Sequence, residues 1–486
     1  MAASPTPSRR LRPRHIALAL GGFWAALTAA FGIGGTLAQF HDDSSVARPD
    51  FLNVPAPVKG IFYTLLTVTF LAVGYLFSLR VQNWERGQPD RRKTTKKNAK
   101  HRVEAFRSGV WMRTLLRDGA AGLMHSLIYF PFLVLFAVTN LVIFNELTPE
   151  SLKFQHGTAY QALAFTADVA GVLFLVGIGW AIFRRYIQRV YRIRIKSRPE
   201  DMMILGTFAV IGVGGFLVEA FRIAIMGRPE FEKWSIVGYP LSRLFENNTH
   251  MLGWHQTFWI LHALAFVTFL IILPTTKLRH MFTSPVNMYL SDRDRPKGAM
   301  KPLPNLEETS LETFGANVIE DFTWKQLMDT DACTVCGRCT SVCPAHATGK
   351  PLDPREIVLK VGHVMAATHP SGAVSPVVGQ DEELTVSTGS VFERISSEEI
   401  WACTTCKACD DICPVNIEIL DKILDMRRYL SLMESDFPAE LGNMYRSLDN
   451  QQNPGGMNQS ERGDWAKGLT GIDILDGSSP LDHEYL

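Results

Sequence analysis

Cys333-Thr334-Val335-Cys336-Gly337-Arg338-Cys339-Thr340-Ser341-Val342-Cys343-Pro344 is matched in spacing by Cys403-Thr404-Thr405-Cys406-Lys407-Ala408-Cys409-Asp410-Asp411-Ile412-Cys413-Pro414. Each is C-x2-C-x2-C-x3-C-P, a run that holds paired [4Fe–4S] clusters. Three thiolates converge on one cluster, and the fourth, turned away by its proline, reaches the other. The expected sets are Cys333, Cys336, Cys339 and Cys413 for one cluster, and Cys403, Cys406, Cys409 and Cys343 for the second. These are all 8 cysteines of the 486-residue chain, so none is left for a disulfide framework. Structural zinc would use two C-x2-C pairs and has no need of the additional cysteines or the prolines.

Outward from these runs the composition changes sharply. Residues 1–280 hold long apolar stretches, whereas 281–486 are polar and contain every cysteine. Six stretches are long enough to cross a bilayer as helices: 15–38, 59–80, 122–145, 159–183, 202–226 and 256–276. Basic residues assign their sides. Arg9, Arg10, Arg12 and Arg14 precede the first stretch, a segment including Arg91, Arg92, Lys93, Lys96 and Lys97 runs from Arg80 to Arg117, and a third cluster spans Arg184 to Arg198. The alternate loops carry only scattered charges such as Arg48, Lys153, Arg228, Lys233 and Arg243. Both termini are therefore expected in the cytoplasm. The first stretch exceeds a secretory h-region and reads as an uncleaved anchor. The 80–117 segment reads as a solvated loop that fixes topology, with anionic lipid binding as the alternative. A net charge of +1 offers no support for nucleic-acid binding.

Histidines supply the second pattern. His262 and His280 are 18 residues apart, which is five whole helical turns, so both rings leave one face. They stand about 27 Å apart along the axis, near opposite sides of the hydrocarbon layer. His125 begins the third stretch just inside the basic loop, at the cytoplasmic depth of His280. The pair His125/His280 is the expected axial couple of a haem b. His262 is a candidate ligand of a second haem, although the matching position on the third stretch is Leu135, so one haem is expected and a second would need a ligand from elsewhere. His255 lies on the same face as His262. Glu219 and Arg222, three apart in the fifth stretch, form a local ion pair, face a haem propionate or, with His255 and His262, outline a candidate quinone site. Arg117, Lys277 and Arg279 flank the inner haem position as propionate partners or as topology-setting cations. Arg338 and Lys407 place positive charge inside the cysteine runs, where it would raise cluster potential.

The segment from His262 through Pro274 and Lys277 to His280-Met281-Phe282-Thr283-Ser284-Pro285-Val286 resembles the last helix of the respiratory nitrate reductase gamma subunit, over roughly 110–290. That resemblance implies two haem-ligating histidines 18 apart. The family's first haem-bearing helix has two histidines ten apart, of which His125 alone matches. Residues 322–455 resemble the heterodisulfide reductase-type iron–sulfur proteins, through Phe322-Thr323-Trp324-Lys325-Gln326, Trp401-Ala402-Cys403-Thr404-Thr405-Cys406, Ile417–Met433 and Asn453-Pro454. The 59 residues between the two cysteine runs favour an α-helical ferredoxin. The combination is similar to membrane proteins that pass electrons from electron-transfer flavoprotein to menaquinone. In that group the chain continues into two cysteine-rich CCG domains; the equivalent is here expected on a partner subunit, or on a longer chain of which this is a piece.

The expected fold is all-α: a six-helix transmembrane bundle followed by a cytoplasmic α-helical ferredoxin domain with two [4Fe–4S] clusters. Its parts are 1–120 (two helices and the basic loop), 121–290 (haem b domain), 291–321 (linker), 322–450 (ferredoxin) and 451–486 (tail). The expected role is a multi-pass subunit of the bacterial cytoplasmic membrane that carries electrons from a cytoplasmic donor through the clusters and haem b to menaquinone. The rival is a quinol-oxidising subunit feeding a soluble heterodisulfide- or sulfite-reductase-type partner. A third reading is a redox-sensing anchor with no turnover.

Overall fold

The computed structural model describes residues 12–38, 46–47, 53–90, 95–246, 249–291, 295–296, 298–305, 307–309, 311–370 and 386–471. Arg9, Arg10, Arg48, Arg91, Arg92, Lys93 and the tail beyond 471 lie outside the described residues.

Six helices are long and apolar enough to cross a membrane: Pro13–Thr36, Ala56–Trp84, Gly119–Glu146, Gly157–Ile187, Pro199–Ile225 and Met251–Thr275. They pack as three consecutive pairs, one–two, three–four and five–six, joined by contacts of two with six and four with five. Lipid gives helices no hydrophobic reason to associate, so close backbone approach must supply the contact. Gly21 and Gly74 do this for the first pair: a Cβ on Gly21 would lie 2.7 Å from Gly74 Cα. Spans three to six enclose an aromatic core. Phe132 stands 5.7 Å from Phe269 and 6.0 Å from Phe208 between ring centres, and Phe174 stands 5.7 Å from Phe208.

The end of the bundle that carries the basic residues departs from a simple loop. The second span runs to Trp84, so Arg80 is a buried helical residue and not the start of a solvated segment. The basic stretch beyond it contains a helix, Lys96–Val110, opened by a Thr95/Asn98 capping box. It packs on the short helix His280–Tyr289 that continues the sixth span.

The C-terminal domain is helical, and no strand forms among the described residues; Val318 and Ser390 make only an isolated bridge. Trp324–Ala332, Pro354–Ala367 and Ile419–Leu432 bury Leu327, Ile357, Val361, Val364, Ile423 and Met426 against Phe322 and Ile400. Thr323 with Gln326, and Ser396 with Glu399, form capping boxes that start the helices leading into each cysteine run.

Candidate functional site

The two cysteine loops share one backbone pattern. Val335 and Gly337 have φ of 57° and 70°, and Thr405 and Lys407 have 57° and 60°. Left-handed backbone is costly for β-branched Val335 and Thr405, and such strain persists where the surroundings demand it. Here it wraps each loop so that amides face sulfur. Thr405 N donates to Cys403 Sγ and Ile417 N donates to Cys413 Sγ, each at 3.4 Å. The short helices after the third cysteines, Arg338–Val342 and Ala408–Ile412, lie against each other.

Cys333, Cys336, Cys339 and Cys413 line one cavity, with Pro414 in its wall. Cys403 lies near enough to Cys343 and to Cys406 for their charges to interact. Among the described residues no three metal-ligating side chains converge tightly enough for one ion. Burial pushes the Cys333 thiol up to about 11 and raises Cys339, Cys409 and Cys413 as well. Thiolates there need the positive charge of iron. Cys343, Cys409 and Cys413 are buried, whereas Cys406 is exposed, so the second site opens towards solvent.

His125 and His280 face each other with ring centres 6.3 Å apart and planes inclined at 65°. Two imidazoles bound to one iron at about 2 Å each place their ring centres about 6 Å apart. The pair therefore fits a bis-histidine haem. His280 Nδ1 bonds the Lys277 carbonyl at 2.6 Å, leaving Nε2 as the lone pair. His125 Nδ1 is buried without a hydrogen-bond partner. Burial lowers His280 below its ordinary value and favours the neutral ligand form.

This pair abuts the first cysteine set. Thr283 Oγ1 donates to Asp331 O at 3.0 Å, and Ser284 Oγ to Ala332 O at 3.3 Å. Arg279 forms an ion pair with Asp331 at 2.8 Å, Arg80 joins at 3.3 Å, and Trp84 Nε1 donates to the same carboxylate at 2.7 Å. Arg338, 3% exposed, donates to the carbonyls of Thr114 and Leu115 and sits 3.7 Å from Asp118, the N-cap of the third span. Arg355 Nη1 reaches Arg192 O at 3.0 Å. Of the cations that flank the inner histidine pair, Lys277 pairs with Asp201, Arg279 with Asp331, and Arg117 with Asp411 at 3.4 Å.

At the far end, Arg222 and Glu219 form the expected ion pair at 3.9 Å, but it is the looser of two. The main partner of Arg222 is Glu232, from the loop before the sixth span, and Tyr160 OH donates to Glu232 at 2.9 Å. Sequence reasoning missed Glu232 because it belongs to a loop rather than to the i,i+3 pattern. His262 packs on Gly214 and Gly215, where an added Cβ would lie 3.4 and 3.5 Å from its ring. His255 is 2% exposed. Leu135 packs on the aromatic core and occupies the depth where a second ligand would be needed.

Residues 92–295 match the model of the nitrate reductase gamma subunit, and 332–418 match that of a 4Fe–4S dicluster domain. The chain is 32% identical over 399 residues to "EtfAB:quinone oxidoreductase" of Syntrophomonas wolfei, covering 75% of this chain and 55% of that protein. It is 30% identical over 400 residues to "Probable iron-sulfur-binding oxidoreductase FadF" of Bacillus subtilis, with the same coverage, 75% and 55%. A "Probable membrane-anchored ferredoxin" of Chromohalobacter salexigens is 38% identical over 189 residues, 37% of this chain and 26% of its own length. The chain thus spans about half the length of the first two relatives, 55% of each. No solved structure matches.

Proposed function

From a chain that joins a nitrate reductase gamma-like membrane domain to a 4Fe–4S dicluster domain, we propose a membrane electron-transfer subunit that passes electrons from a cytoplasmic donor to menaquinone. Electron-transfer flavoprotein, reached through a CCG-domain partner, is the donor that the similarity to an EtfAB:quinone oxidoreductase supports. Cys403, Cys406, Cys409 and Cys343 hold the entry cluster, because Cys406 is the exposed thiol. Cys333, Cys336, Cys339 and Cys413 hold the inner cluster. His125 and His280 hold haem b, which supplies a one-electron centre at the membrane boundary. The protein's own part is to fix distances and exclude water between these sites.

The observation that carries this reading is the contact of Asp331 with Arg279. Arg279 is one residue from His280 and Asp331 two from Cys333, which supports a direct step between the inner cysteine set and the histidine pair. Glu219, His255 and His262 at the far side form the candidate quinone site, with Arg222 held in its wall by Glu232 and Tyr160. Membranes containing the protein and its CCG-domain partner, supplied with reduced flavoprotein and a menaquinone analogue, test the route. His280→Ala should leave the clusters reducible and stop quinone reduction. Quinone reduction at the unaltered rate in that variant contradicts the route.

A further inference from the structure

The helix Lys96–Val110 has three faces. Asn98, Arg102 and Ala105 are buried against the helix His280–Tyr289, with the Arg102 guanidinium 6.0 Å from the Tyr289 ring centre. Gly109 completes that face; a Cβ there would meet Met288 Sδ at 1.8 Å. A second face carries Val103 and Phe106, 56% and 40% exposed, in line with Val110. Lys96, Lys100 and Arg107 are exposed beside it. Residues 95–117 contain seven Lys or Arg against a single acid, Glu104.

Trp111, which caps the helix, shows where the apolar face lies. It is 56% exposed, yet its ring centre is 5.9 Å from Phe130, about three turns into the third span. An exposed tryptophan at that depth is beside lipid, not water. Leu116, 47% exposed, extends the same patch towards the span.

We infer that Lys96–Val110 and Trp111 form an interfacial helix that binds anionic phospholipid at the cytoplasmic leaflet. Val103, Phe106, Val110 and Trp111 enter the acyl boundary, and Lys96, Lys100 and Arg107 take the headgroups. Since the opposite face braces the helix that begins at His280, the lipid surface supports the haem-side histidine from behind.

The test uses the full-length protein in nanodiscs of acyl-brominated phosphatidylcholine, with or without phosphatidylglycerol. The emission lost in Trp111→Phe is expected to be bromine-quenched, and a Val103→Trp variant should gain a quenched signal if Trp111 proves indispensable for folding. Hydrogen exchange across 96–111 should slow when phosphatidylglycerol is added, by about fivefold per cation at low salt and so by up to about a hundredfold for Lys96, Lys100 and Arg107 together. Lys96→Gln/Lys100→Gln/Arg107→Gln, with unchanged iron content, should abolish that response. Unquenched emission at both positions overturns the inference, as does exchange indifferent to the anionic lipid. Protection that appears only with a soluble protein partner overturns it in favour of protein docking.

Discussion

Arg279 and Asp331 meet at 2.8 Å across the boundary between membrane and soluble domains, one residue from His280 and two from Cys333. Arg80 joins the same carboxylate, and Trp84 donates to it. Together with the Thr283 and Ser284 hydrogen bonds to Asp331 O and Ala332 O, this carboxylate ties the helix that begins at His280 to the segment entering Cys333.

Asp331→Asn keeps the shape and removes the charge, leaving two buried arginines uncompensated at a cost of about 3–5 kcal/mol. The variant is expected to melt at lower temperature and to weaken the magnetic coupling between reduced inner cluster and oxidised haem. Paramagnetic resonance of the purified variant checks the second effect independently of stability.

Cys413→Ser and Cys343→Ser separate the two cysteine sets. If the fourth cysteines cross over, Cys413→Ser damages the cluster of the 333–339 loop and spares that of the 403–409 loop. Cys343→Ser does the reverse, each with loss of at most about half of the eight irons. Iron analysis with resonance spectra of each variant distinguishes crossed from uncrossed ligation.

Lys325, Asp329 and Lys422 are fully buried together, with Asp329 Oδ1 2.8 Å from Lys325 and Oδ2 2.6 Å from Lys422. Burial alone would push Asp329 up, but the two lysines outweigh it and hold the carboxyl below the usual range. A depressed native pKa stabilises above the unfolded value and is lost as pH falls through the native one. The contribution is thus constant through neutral pH and fades only below about pH 4. Asp329→Asn should destabilise the ferredoxin domain by about 3–5 kcal/mol at pH 7, with the loss shrinking in strong acid. Denaturant titrations at several pH values measure it.

Glu232→Gln should expose the role of Arg222. The arginine stays buried without its main counter-ion, so the variant should lose stability by about 3–5 kcal/mol. A conservative Glu219→Gln should alter menaquinone KM with little change in melting temperature. A KM unchanged in Glu219→Gln moves the quinone site elsewhere.

Hydropathy was enough to place six spans, because crossing a bilayer demands about 20 apolar residues wherever they occur. Depth along two helices was enough to bring His125 and His280 together. Asp331 was invisible, since nothing local distinguishes it from Asp329 two residues earlier. Its meaning comes from Arg80 and Arg279, 251 and 52 positions away. The helix Lys96–Val110 was hidden by charge: its apolar stripe is narrow and its buried face includes Arg102. The spacing Val103, Phe106, Val110 and the Thr95/Asn98 cap were the available signals. The pairing of Arg222 with Glu219 was legible from the i,i+3 spacing, whereas its tighter partner Glu232 comes from outside the span.

The most direct test of the whole account is a reduced-minus-oxidised visible spectrum of the purified protein, with pyridine-haemochrome and iron quantitation on the same sample. The account predicts one haem b per eight irons, and loss of the haem alone in His125→Ala. Eight irons with no haem would contradict the assignment of His125 and His280, and two haems would contradict the reading of Leu135 and the aromatic core as closing the outer site.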